Sequence, residues 1–327
     1  MSNFYRTTMN PAGYHGQGKK APYFEGWYLK LVNAAQTETW AIIPGIFIGR
    51  RATESQAFIQ VLRAGENEVH FHPFPAGAFH AAAAQFDVRL GGNHFSQHSL
   101  TLDLPHLQGR LAFHNTTPWP VTLRSPGIMG WYAWVPFMEC YHGVISLDHT
   151  IEGTLRYRGE TLDFSGGRGY IEKDWGRNFP ATWIWMQSNH FSHNGQPSPG
   201  TSLTASIARI PWIGRAFPGF IIGLWHERVL HRFTTYVGAT METVTVTGET
   251  VHCVVRNRTH RLELLTERAP GGLLYAPTPA GMAPQVRESV SAAITARLTT
   301  LDGRLLFEGR GSSAGLEVQG DTSILAP

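Results

Sequence analysis

Charge is the first thing this sequence lacks. Asp, Glu, Lys and Arg make up 16% of the 327 residues, and the formal net charge is only +3, well under the charged quarter of an ordinary soluble domain. Arginines stand singly, with Arg50–Arg51 the densest pair, so there is no basic stripe to hold a nucleic acid. Cysteine is nearly absent. Cys140 and Cys253 are far apart and in no metal or redox spacing, which excludes a disulfide framework and fits a reducing compartment. Long hydrophobic runs are missing too. The longest, Trp40–Gly49, is broken by Pro44 and Gly45 and cannot cross a bilayer as a helix. The first twenty residues are polar, without the apolar core of a signal peptide. The expectation is a soluble, cytoplasmic protein.

Several familiar machines are absent as well. There is no P-loop, no dinucleotide fingerprint opening a helix and no repeat of solenoid length. Gly166-Gly167-Arg168-Gly169 precedes strand-like sequence, so its glycines are expected to permit a bend or a close backbone approach. His70-Phe71-His72 has a metal-like spacing but no third ligand nearby, and no metal site is expected from it.

What is present is aromatic and turn-rich: aromatics reach 12%, with 35 glycines and 20 prolines. Short runs such as PYFEGWYLKLV, TETWAIIPGIFIG and ESQAFIQVLRA carry β-branched and aromatic residues at strand spacing between turn signals. Leu100, Leu102 and Leu104 alternate with Thr101 and Asp103, and a turn at Gln108–Gly109 is expected to return the chain through Leu111 and Phe113 as a hairpin. Only residues 78–85 and 286–298 look at all helical, and the second reads better as strand. The loop from Ser192 to Gly200 is the natural seam. The expected organisation is an arm over residues 1–21, a β domain over 22–197 and a second over 198–327, each near the size of a small barrel or sandwich.

Chemistry concentrates between Gly166 and Phe191. On one extended segment Tyr170, Glu172 and Asp174 share a face, with Ile171, Lys173 and Trp175 on the other. On the next, Trp183, Trp185, Gln187 and Asn189 share a face, and the turn at Gly176–Pro180 is expected to set the two segments side by side. A face of phenol, carboxyl, indole and amide groups reads in two ways: as the lining of a pocket, or as an outward polar face whose tryptophans pack under a neighbour. Glu25 beside Trp27 and Tyr28, and a glycine-aromatic run through Trp131 leading to Glu139 and His142, repeat the same flavour.

Five ordered segments then resemble the tocopherol cyclase family: Pro22–Lys30, Pro126–Trp131, Tyr170–Gly176 with Phe179-Pro180, Trp183–Phe191 and Ala314–Gly320. The resemblance implies an all-β fold of two consecutive lipocalin-like antiparallel β-barrel domains with few short helices, distantly like carotenoid hydratases. It implies a cofactor-independent ring closure, in which an acid protonates a prenyl double bond and a phenol closes a chromanol. No metal or redox cofactor is required. In the hydratases the acid chemistry is associated with a Tyr-x-carboxylate element and an upstream His, a pattern that falls here on Tyr170, Glu172 and His142. Asp174 stands where related sequences often have Asn. The candidate catalytic residues are therefore Glu172, Asp174, Tyr170 and His142. Candidate substrate contacts are Glu25, Trp27, Trp131, Trp183, Trp185, Gln187 and Asn189. The implied partner is an apolar small molecule, a prenylated aromatic or terpenoid, with peripheral membrane contact for its uptake. Hydration or another cyclisation of a terpenoid or polyketide, and a non-catalytic carrier role, are the alternatives.

Overall fold

The computed structural model describes residues 3–66, 68–278 and 281–327. The chain is all-β, built from two large antiparallel sheets of the lipocalin-like kind, and it divides into two compact units. The first comprises Met1–Arg63, Glu68–Phe179 and Leu274–Gln285; the second comprises Ala64–Asn67, Pro180–Leu273 and Val286–Pro327. The chain passes from one unit to the other at Phe179–Pro180, so the loop around Pro197, where the sequence suggests a seam, lies inside the second unit. There it is a small hairpin, with His193 paired to Gln196.

In the first unit the sheet is two runs in chain order, Tyr23–Val32 out to Val69–Pro75 and Phe79–Ala81 through Cys140–Tyr157 to Gly167–Gly176, joined where Gly167–Gly176 pairs with Tyr23–Val32. Alternate residues of the Tyr23 strand, Trp27, Leu29 and Leu31, face one apolar core with Ile42, Ile59, Leu111 and Ile171. Trp27 also stacks on Phe86, 5.6 Å between ring centroids at an interplanar angle of 6°. Phe86 borders the far edge strands, so the sheet curls round on itself, which is how a sheet hides its edges and its core together. The second unit has its own core, with Ile184, Met186, Leu203, Ile222, Val255 and Leu298 among its members.

The hairpin over residues 99–114 forms, but its turn lies earlier than the Gln108–Gly109 expected. Leu104 and Leu107 exchange backbone hydrogen bonds around Pro105-His106, and Gln108 and Gly109 lie within the returning strand. Proline ends the ladder where its missing N–H does no harm. Residues 286–298 are strand, and residues 79–81 form a short strand after a single 3₁₀ turn. The N-terminal arm is docked rather than loose: Tyr14 N–H donates to Ala82 O at 2.9 Å, and Asn10 Nδ2 to Ala83 O at 3.0 Å. Among the described residues, no helix is long and apolar enough to cross a membrane.

Candidate active site

Glu172 lies on the central strand of the first sheet, paired along both edges. Tyr28 stands directly across from it on one side and Val144 on the other, while His142 faces Asp174. Strand alternation puts Tyr170, Glu172 and Asp174 on one face, as the sequence predicts. The pairing then supplies what the sequence alone could not: His142 shares that face. Tyr170 OH donates to Glu172 Oε2 at 2.5 Å. His142 Nδ1 is 2.9 Å from Asp174 Oδ1, and its Nε2 is 3.5 Å from Glu172 Oε2. One imidazole thus bridges two carboxyl groups. Tyr170 and Glu172 are buried, His142 has 11% of its side chain exposed and Asp174 has 27%. The four side chains run from interior to solvent, with hydrogen bonds at Tyr170–Glu172 and His142–Asp174 and an approach of 3.5 Å between the two pairs.

Cys140 Sγ lies 3.9 Å from Asp174 Oδ1. Burial, and next the Asp174 carboxylate, push its thiol well above the usual range, so it stays neutral and is no nucleophile. The ligand atoms of His142, Glu172 and Asp174 lie within 4.8 Å of one another. One nitrogen and two carboxylate donors could also hold a divalent cation. The four predicted catalytic residues are therefore brought together.

Two of the predicted substrate contacts, Glu25 and Trp27, point away from them. Glu25 and Trp27 have the opposite parity and face the core. Glu25 Oε1 is 2.5 Å from Lys173 Nζ, with both side chains 0% exposed. Tyr23 OH donates to Glu25 Oε2 at 2.5 Å, and the backbone N–H of His15 donates to the same carboxylate at 3.0 Å. Lys173 also donates to Gly13 O, contacts His15 Nδ1 at 2.9 Å and sits over the rings of Trp27 and Trp175 at 4.9 and 4.5 Å. Burial lowers the Lys173 ammonium to about 8, while Glu25 opposes the shift. Burial, then Lys173, holds the His15 imidazole well below its usual range. Trp27 Nε1–H donates to Ala12 O at 3.2 Å. This is a closed lock between arm and sheet. A Cβ on Gly143 would meet Pro11 at 3.1 Å and Trp175 at 3.2 Å, so the glycine lets the arm come close at that point.

Trp183, Trp185, Gln187 and Asn189 belong to the second unit. Their strand, Trp183–Ser188, pairs with Ser202–Trp212 and Leu305–Gln319. The expected side-by-side pairing with the Glu172 strand does not form, and the reason is geometric. A strand has two edges, and both edges of Gly167–Gly176 are taken by Tyr23–Val32 and Cys140–Tyr157. Trp183 Nε1–H instead donates to Glu317 Oε2 at 2.6 Å. Asn189 is buried with its Oδ1 2.9 Å from His190 Nδ1. Trp131 lies in a 3₁₀ turn, 44% exposed. Sequence reasoning passed over Tyr28, which shares the face of Glu172, and Lys173, which holds the lock. Their signal was cross-strand register, which no single strand carries.

The family model described as tocopherol cyclase-like matches residues 113–320. The chain belongs to that family. The match contains His142, Tyr170, Glu172 and Asp174 and leaves out Glu25 and Trp27. Among curated proteins, a chloroplastic protein of Oryza sativa subsp. japonica described as a tocopherol cyclase is 26% identical over 231 residues, 66% of this chain and 48% of that protein. The chloroplastic tocopherol cyclase of Zea mays is 26% identical over 204 residues, 58% of this chain and 41% of its own length. The chain spans about half the length of these relatives. A Nitrosomonas europaea crystal structure described as an AttH superposes with a TM-score of 0.55 at 14% identity, covering 93% of this chain and 94% of that one. That likeness bears on the fold of this family member alone.

Proposed function

We propose that this chain closes a ring on a prenylated hydroquinone or a similar terpenoid, with Glu172 as the proton donor. The observation that carries the reading is the gathering of Tyr170, Glu172, His142 and Asp174 on one face, within the region matched by the family model. The curated relatives described as tocopherol cyclases support the substrate class.

The carboxyl group of Glu172 gives its proton to the less substituted carbon of the prenyl double bond, leaving a tertiary carbocation. The phenolic oxygen of the same molecule attacks that carbon and the C–O bond forms. The phenolic proton leaves to His142, whose imidazolium is stabilised by Asp174 and returns the proton to Glu172. Product and substrate are isomers, so no co-reactant enters. Tyr170 is a positioning residue that fixes the Glu172 carboxyl by its short hydrogen bond. Tyr28, directly across the sheet from Glu172, offers an aromatic face to the cation, an interaction worth about 0.5–2 kcal/mol. That is small against the barrier, so folding the prenyl chain onto the acid must contribute more.

The test is incubation of the purified chain with a prenylated hydroquinone under anaerobic conditions, with products resolved by mass spectrometry and NMR. The expected product is a chromanol of unchanged mass, lost in Glu172→Gln while the variant's circular dichroism stays native. A product heavier by one water would mean hydration, and recovery of unchanged bound ligand would mean a carrier. Either outcome overturns ring closure.

A further inference from the structure

Every large hydrophobic side chain exposed on the first unit, among the described residues, falls in two stretches of chain: Phe4, Val121, Leu123, Trp131 and Phe137, 39% to 60% exposed. The stretches meet in space. Trp134 packs its ring against Phe4 and Tyr5, with centroids 6.1 and 5.7 Å away, and its Nε1–H donates to Leu123 O at 3.0 Å. Leu123 sits at the tip of a hairpin, Val121–Thr122 paired with Ser125–Pro126, and Trp131 stacks on Tyr132 at 4.1 Å. A soluble surface does not usually gather its apolar side chains into one patch without a use for it.

Charge says what covers this one. Residues 3–24 and 115–138 contain no Asp or Glu, and their cations are Arg6, Lys19, Lys20 and Arg124, all exposed. Arg6 is on the same short helix as Phe4, and Arg124 follows Leu123 at the hairpin tip. The first acid beyond the patch, Glu139, is half-buried and faces Arg177. An exposed tryptophan, part-buried tyrosines beside it, an apolar tip and basic flanks without acids form the composition that settles at a bilayer–water boundary and favours anionic lipid.

We propose that the surface formed by Phe4, Leu123, Trp131 and Trp134 docks this chain on an anionic lipid bilayer. The segment that carries Trp131 and Trp134 runs directly into the strand of His142, so a docked chain holds its candidate acid site close to the lipid. The docking stands apart from ring closure and is read without any substrate.

The experiment is flotation of the full chain with phosphatidylcholine vesicles, with and without phosphatidylglycerol. The chain is expected to float with the anionic vesicles, less so as salt is raised. Leu123→Asp with Trp131→Asp should lower the bound fraction at least tenfold, and Arg6→Glu with Arg124→Glu should abolish the preference for phosphatidylglycerol. Thermal melts of the variants must match the parent chain. Glu172→Gln should float normally, so failure of the chemistry and failure of the docking are told apart. No flotation, or flotation that both double variants retain, overturns the proposal. So does a dimer in light scattering that Leu123→Asp converts to monomer, because the patch would then be a face between two copies of this chain.

Discussion

The same short element occurs twice, on strands that lie side by side: Tyr23-Phe24-Glu25 and Tyr170-Ile171-Glu172. In each the tyrosine OH donates to the glutamate Oε2 at 2.5 Å, and in each the glutamate is buried. They differ in which face of the sheet they occupy and in what meets them there. Glu25 turns to the core and is met by the Lys173 ammonium and the N-terminal arm. Glu172 turns to the other face and is met by His142, which also touches Asp174. A lysine at contact distance gives a carboxylate an ion-pair partner that holds it in place. An imidazole has two ring nitrogens that can each take or give a proton, so it can pass one on. The first arrangement is suited to holding the structure and the second to doing chemistry, although the two sequences are nearly the same.

The sharpest way to break that contrast is Glu172→Gln against Glu25→Gln. The first should lower ring closure by about 10²–10⁴-fold, the usual scale for a positioned acid, with an unchanged melting temperature. Should it instead unfold the chain and spare the activity of the folded fraction, the roles would be reversed. Glu25→Gln leaves Lys173 buried without its counter-charge and should cost about 3–5 kcal/mol in urea unfolding. Adding Lys173→Met should recover much of that loss, and a double-mutant cycle without coupling would show that the two charges do not hold each other.

Next in size comes a pH effect on a second histidine of the His142 strand. His149 is fully buried against Phe113, and burial lowers it from 6.5 to about 3. Between those values the unfolded chain binds a proton that the folded chain refuses, so His149 contributes stability above pH 6.5 that is lost as pH falls toward 3. One such group gives a slope of about 1.4 kcal/mol per pH unit. His15 acts in the same direction. His149→Leu should flatten the acid limb of the stability curve by that slope, measured by urea unfolding from pH 6.5 to 4; an unchanged slope would contradict the assignment.

The smallest effect sharpens the comparison most finely. Tyr23→Phe and Tyr170→Phe each remove one hydrogen bond to a buried carboxyl group and should cost about 1–3 kcal/mol of stability. Only Tyr170→Phe should also slow turnover, by a change in kcat with little change in KM. Equal kinetics in the two variants would mean that Tyr170 does not position the acid.

Much of this protein was legible in one dimension. Alternation in the stretch from Tyr170 to Asp174 put the two acids and the phenol on one face, because side chains along a strand repeat every two residues whatever the strand pairs with. Scarce charge, frequent turns and short aromatic runs set the all-β class. The glycines before Tyr170 were read as permitting a close approach, and a Cβ on Gly169 would indeed meet His149 Nε2 at 2.3 Å. A local hairpin such as 99–114 was legible, but the neighbours of the Tyr170 strand were not. Glu25 and Trp27 looked like site residues because they sit beside aromatics, yet register turns them to the core. Trp183, Trp185, Gln187 and Asn189 were expected beside the Glu172 strand because they follow closely in sequence, yet the strand Trp183–Ser188 pairs within the second sheet.

The amino-acid order by itself determined which side chains share a face of a strand, since backbone geometry enforces that locally. Only the tertiary structure decided which faces meet, because pairing depends on edges that segments far apart in the chain compete to fill. His142 came to Glu172, and Lys173 to Glu25, through that competition. It is what made one Tyr-x-Glu element a lock and left the other as the candidate acid.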